Sequence, residues 1–213
     1  MFERRCPGCG QRSAGICPAC RSLVLPAPPL PGDGWLSSVR AWSCYDGVGR
    51  AVVLALKHGG RRDLAAVLGP ELADLAPPVD VVTWVPASPA GRRARGYDQS
   101  QLLGRAVGRA LSRPAIPLLR RSRRSGSQRG HGRSERLDAA ALTGRRRSPP
   151  IVLLVDDVRT TGASLRRAAA ALGDAGAQDV HAVVVAVADR DLTPGRPSFA
   201  TTGGAARIGP RPG

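Results

Sequence analysis

Between residues 35 and 190, short, nearly continuous apolar runs alternate with longer Ala/Leu patterns. The runs over 79–85 (VDVVTWV), 151–155 (IVLLV) and 180–187 (VHAVVVAV) lack the polar alternation of a half-exposed strand. They predict strands of a parallel sheet covered on both faces. Helical spacing is found at 49–57, 62–75, 99–111 and 164–172. In the third of these, Leu102, Leu103, Ala106, Val107, Ala110 and Leu111 keep one apolar face. Strands interleaved with helices predict an α/β domain over 35–190. Ahead of it, PAPPLPGDG at 26–34 can continue neither a helix nor a central strand, and reads as a connector.

Two segments break the pattern. The stretch 117–150 packs ten arginines into little apolar material without periodicity, and is expected to be mobile until an anion holds it. The Gly- and Pro-rich tail, 191–213, is expected to be disordered. No internal repeat is present. No apolar run reaches 18 residues, and the amino terminus, MFERRCPGCG, lacks the apolar segment of a secretory signal. A cytoplasmic protein without membrane insertion is the expectation.

Composition narrows the chemistry. Hydrophobic residues make up 42% of the 213 but aromatic ones only 3%, so Ala, Val and Leu must fill the core and an aromatic platform for stacked bases is a poor guess. The net charge is +16, and of 32 basic residues only Lys57 is a lysine. Polyanions are the natural partners of such a surface, although a G- and C-rich coding sequence would raise arginine in the same way. Arginine is also the better residue for gripping phosphate with two donors.

Residues 152–164, VLLVDDVRTTGAS, read as a buried strand, two acids, a short turn and a helix start. Open α/β sheets bind ligands outside the carboxyl ends of their strands, where Asp156 and Asp157 emerge. Arg159, Thr160, Thr161, Gly162, Ala163 and Ser164 offer backbone N–H groups, two threonine hydroxyls and a helix amino terminus, which together form an anion cradle. Gly162 lets backbone approach a phosphate. Carboxylates beside such a cradle suit a ligand with sugar hydroxyls and a magnesium ion besides phosphate. A bare acid pair after a strand is more often a capping turn, but strand, acids, T-T-G-x-S and helix together favour the phosphate reading. No G-x-x-x-x-G-K-[ST] pattern occurs, which excludes a P-loop nucleotide site. The turn Pro86, Ala87, Ser88 after the first strand is placed to hold pyrophosphate, with Arg92, Arg93 and Arg95 to neutralise it; a solvated basic helix start is the competing interpretation.

At the amino end, Cys6-x-x-Cys9 and Cys17-x-x-Cys20 are two knuckle turns. Their spacing predicts a tetrahedral four-thiolate zinc site within 1–25, structural because protein fills all four positions, with an iron–sulfur cluster the lesser alternative. So small a segment depends on the metal for its folding energy. Cys44 reads as a buried core residue, and His58, His131 and His181 as ordinary positions.

Residues 152–164 resemble the phosphoribosyl-pyrophosphate (PRPP) signature of the type I phosphoribosyltransferases. Flanking segments narrow the likeness: Tyr45-Asp-Gly47, Leu56-Lys57-His58-Gly59-Gly60-Arg61-Arg62, Val85-Pro86, Arg92, Arg93, Arg95-Gly96-Tyr97-Asp98-Gln99-Ser100, then Gln128 and Arg136. With the four cysteines, these resemble the ComF/GntX family of phosphoribosyltransferase-like proteins over about residues 4–190. The chain departs at Asp98 and Asp138, where that family usually has Asn, and at Leu142, where it usually has Phe. The resemblance implies a type I phosphoribosyltransferase-like parallel sheet flanked by helices, Asp156 and Asp157 on the ribose hydroxyls, and the following loop on the 5-phosphate. It also implies a role in handling internalised single-stranded DNA during natural transformation, beside partners of the uptake machinery. An active magnesium-dependent phosphoribosyltransferase, with Asp156 and Asp157 steadying the ribosyl centre and 117–150 closing over the site, is the other function open to such a chain.

Overall fold

The structure, a computed structural model, describes residues 4–121, 142–144 and 147–188. In chain order its elements are α1 (Pro18–Arg21), β1 (Leu30–Asp33), β2 (Leu36–Cys44), α2 (Gly47–Lys57), α3 (Leu64–Ala73), β3 (Val81–Trp84), α4 (Pro89–Arg95), α5 (Gln99–Ala110), β4 (Leu119–Arg121), β5 (Leu142–Gly144), β6 (Ile151–Arg159), α6 (Ala163–Gly173) and β7 (Asp179–Val187). Five strands form one sheet in the order β1-β2-β7-β6-β3, in which only the β1–β2 pair is antiparallel. β4 and β5 pair antiparallel as a separate two-stranded sheet.

The continuous apolar runs are explained by two-sided burial. On β6, Leu153 and Val155 enter one apolar cluster with Val52, Val53 and Leu56 of α2 and Leu103 and Val107 of α5. The alternate residues Val152 and Leu154 enter a second cluster with Leu165, Ala168 and Leu172 of α6. All four are fully buried, as the period-2 pleat requires of a strand with helices on both faces. Helix α5 reaches the sheet closely because Gly104 faces Trp84, where a Cβ would stand 3.0 Å from the indole. That approach lowers the amino end of α5 toward the carboxyl ends of β3 and β6.

Several local expectations change. β6 runs on through the two acids to Arg159, since backbone pairing with Val184, Ala186 and Val187 of β7 does not depend on apolar side chains. The connector expected at 26–34 contributes β1, an edge strand, where Pro31 is tolerated. Cys44 is half-buried rather than core, its thiol directed at the Pro26 carbonyl. His181 shares a hydrogen bond with Ser38, 2.9 Å away. Most of 117–150, with Gln128, His131, Arg136 and Asp138, and the tail lie outside the described residues. Among the described residues, no helix is long and apolar enough to cross a membrane.

Candidate functional site

Parallel pairing places Trp84 opposite Val155, so the chain leaves β3 at 86–88 beside the last residues of β6. By the pleat, Asp157 shares the face of Leu153 and Val155, which carries α2 and α5. Lys57, in the last turn of α2, accordingly meets Asp157 Oδ1 at 3.3 Å. Gln99, at the start of α5, donates from Nε2 to Asp157 Oδ2 at 2.7 Å. Asp157 is 4% exposed. Asp156 is half-buried; its Oδ1 accepts from Ser100 Oγ at 2.8 Å and from the Asp157 amide at 2.9 Å. Burial, then the neighbouring Asp157 charge, push the Asp156 carboxyl up to about 7 against the opposing pull of Ser100, the Asp157 amide and Lys57.

The following loop turns at Gly162, whose φ of +74° is left-handed and costs an L side chain strain. Gly162 caps α6 without a side chain of its own to accept from the first amides; the Thr161 hydroxyl accepts from the Ala163 amide at 3.3 Å. A Cβ on Gly162 would come within 3.1 Å of Arg159 Nε and 3.2 Å of an Arg166 nitrogen, so two guanidinium groups flank the turn. Thr160 and Thr161 are exposed, and Ala163 and Ser164 are half-buried. The turn therefore offers amide donors, hydroxyls and positive charge to an anion.

Across from it, Ser88 caps α4, accepting from the Gly91 amide at 3.1 Å. Asp98 anchors this stretch: Oδ2 accepts from the Ala87 amide at 2.8 Å while Oδ1 caps α5 at the Gln101 amide, 3.1 Å. Arg121 donates to the Pro86 carbonyl at 2.7 Å. The Arg95 guanidinium lies back against Gly91, where a Cβ would be 2.6 Å from it and 3.1 Å from Ser88 Oγ. Arg92 and Arg93 are exposed. Tyr97, buried, donates to the Leu56 carbonyl beneath the Arg62 guanidinium, which sits 4.6 Å from the ring centre. Segments around 57, 97–100 and 156–157 thus converge on one place. Sequence reasoning did not foresee that Lys57 and Gln99 occupy Asp157; the one available signal was that position 57 carries the sole lysine.

The four sulfurs of Cys6, Cys9, Cys17 and Cys20 lie within 4.8 Å of one another, Cys9 and Cys17 at 3.6 Å. Four thiolates on one zinc, with bonds of about 2.3 Å, stand roughly 3.8 Å apart, so the set fits that ion. Burial, reinforced by the other three sulfurs, pushes the Cys20 thiol up to about 12. Cys6, despite burial, is drawn down to about 6 by the amides of Cys17, Cys9 and Gly8. Cys6, Ile16, Cys17 and Cys20 pack in the same apolar cluster as Val48 and Val52. The module is further tied to the sheet domain by contacts of Arg21 with Glu71 and of Arg61 with the Arg5 carbonyl.

No family model matches the chain, and no curated protein does. Among solved structures, it is similar over 62% of its length to glutamine PRPP amidotransferase from B. subtilis, at 23% identity and TM-score 0.44. The chain spans only 30% of that protein. It is also similar to purine phosphoribosyltransferase from Pyrococcus horikoshii (17% identity, TM-score 0.33, covering 60% of this chain and 72% of that one). A third is an adenine phosphoribosyltransferase (15%, TM-score 0.34, 67% and 79%). This chain itself is a mostly parallel α/β sheet flanked by helices, preceded by a four-cysteine cluster.

Proposed function

We propose that the chain binds PRPP or a closely related phosphoribosyl ligand at the carboxyl edge of β3 and β6. In this reading the 5-phosphate sits on Thr160–Ser164 and the start of α6, flanked by Arg159. The acid pair at Asp156 and Asp157 forms the ribose end of the site. The diphosphate lies at Pro86, Ala87 and Ser88, with Arg92 and Arg95 beside it. Magnesium accompanying the diphosphate would supply further neutralising charge, using diphosphate oxygens as ligands. Structural zinc on Cys6, Cys9, Cys17 and Cys20 would hold the amino-terminal module.

The observation that carries this reading is that a half-buried carboxylate is followed within six residues by a left-handed glycine turn whose capping residue has no side chain to accept from the helix amides. A ligand presenting hydroxyls on one side and a phosphate on the other satisfies both ends at once. The biological role that fits best is that of a ComF/GntX-type protein in the cytoplasm, assisting internalised single-stranded DNA with the uptake machinery. The basic surface supports that role by offering phosphate contacts.

Calorimetric titration of PRPP with Mg²⁺ into the full chain tests the ligand. Micromolar to millimolar binding, lost in Thr161→Val/Gly162→Val, is expected; no heat with any phosphoribosyl compound would defeat the proposal. Single-stranded DNA affinity should fall steeply between 50 and 200 mM salt, and salt-independent binding would count against the DNA role. Pyrophosphate released when bases are offered would make the protein a transferase.

A further inference from the structure

Both oxygens of Asp157 are already engaged within the protein, Oδ1 by Lys57 and Oδ2 by Gln99. Of the four oxygens of the acid pair, Asp156 Oδ2 alone has no partner among the described residues, and Asp156 is the more exposed of the two acids. The lysine is informative in itself. At 31 of 32 basic positions this chain uses arginine, yet the residue set against the buried Asp157 is Lys57. A compact ammonium meets one carboxylate oxygen and leaves the other to Gln99, whereas the planar fork of arginine would claim both. Gln99 points the same way: its amide group must face Asp157, because its oxygen there would oppose a carboxylate. That orientation leaves Gln99 Oε1 buried without a partner, a cost accepted at a residue that orients its neighbour.

We propose that the acid pair is divided: Lys57 and Gln99 are positioning residues that lock Asp157, which fixes the end of β6, and Asp156 Oδ2 is the one carboxylate oxygen offered to a ligand hydroxyl. The division rests on the phosphoribosyl reading for the identity of the ligand but not for the Lys57–Gln99–Asp157 lock. It departs from the expectation, carried by resemblance, that both acids contact ribose.

The test pairs PRPP–Mg²⁺ titration with thermal melts of the full chain. Asp156→Asn should weaken binding at least ~30-fold, the scale of a lost charge-assisted hydrogen bond, while melting at or above the wild-type temperature. Asp157→Asn and Lys57→Met should each melt roughly 5–10 °C lower, since each breaks a largely buried pair. The double variant Lys57→Met/Asp157→Asn should melt above Lys57→Met alone, because no unpaired charge remains. If Lys57→Met does not fold, recovery of folding in the double variant shows the same coupling. Additive losses in the double variant would overturn the lock. Asp157→Asn that abolishes binding at unchanged stability, with Asp156→Asn binding normally, would overturn the division. A wild-type chain that binds no PRPP would overturn the ligand assignment, while the melts still decide the lock.

Discussion

Asp98→Asn isolates one structural claim, that the 86–88 turn is held to α5 by a carboxylate using both of its oxygens. Asp98 is 7% exposed and receives the amides of Ala87 at 2.8 Å and Gln101 at 3.1 Å. Asn offers a single oxygen, and its NH₂ would confront one of these two N–H donors. Retaining the helix cap sacrifices the Ala87 bond. A hydrogen bond to a charged group contributes about 1.5–3 kcal/mol, and the stranded amide adds a little more, so a loss of about 2 kcal/mol is expected. At this chain length each kcal/mol moves the melting temperature by about 2–4 °C, giving a fall of roughly 4–8 °C by circular dichroism. Asp98→Ala, which loses both bonds, should fall about twice as far. Pyrophosphate affinity should weaken in Asp98→Asn along with the freed turn. A melt within about 1 °C of wild type would mean that one carbonyl oxygen serves both amides, and the two-oxygen clamp would be wrong.

Asp156 carries a pH signature. Its folded pKa, raised to about 7 by burial and Asp157, exceeds its unfolded value, so the folded chain holds the extra proton. Stability should fall as pH rises from about 4 to 7 and level off above, a slope that urea titrations should find missing in Asp156→Asn. Gly162→Ala should cost about 1 kcal/mol from the left-handed φ and weaken phosphate binding by crowding Arg159 and Arg166, read by melting and by titration with inorganic phosphate. Gly69→Ala, where the new methyl would stand 2.7 Å from Ala106 Cβ, should push α3 off α5, costing about 1–3 kcal/mol in a urea unfolding curve. Metal analysis should find one zinc per chain, and Cys17→Ser should lose it and lower the melting temperature, because the cysteines share their apolar cluster with α2 and α3.

Legibility followed burial. The strands within 79–85, 151–155 and 180–187 could be read because two-sided covering leaves nearly all positions apolar, Asp80, Thr83 and His181 excepted. β2 could not: LSSVRAWSC mixes exposed and half-buried polar residues between Leu36, Val39 and Ala41, and no single period describes it. β1 was hidden by its proline, which an edge strand accepts and a central one does not. The acid pair and glycine turn were legible as chemistry, since a strand, carboxylates and a T-T-G turn are adjacent in sequence.

What each acid does was not legible, and the reason is physical. Whether a carboxylate is available to a ligand depends on which donors have already claimed its oxygens. For Asp157 those donors come from the end of α2 and the start of α5, the second of them 58 residues away. Local pattern shows two adjacent acids near the carboxyl end of β6; only the descent of α5 over Gly104, and with it Gln99 and Ser100, sets how they differ. A change such as Gly104→Ala, which lifts α5 without touching any polar group, should therefore disturb both acids at once. A substitution confined to α6 should leave the Lys57–Asp157 pair intact.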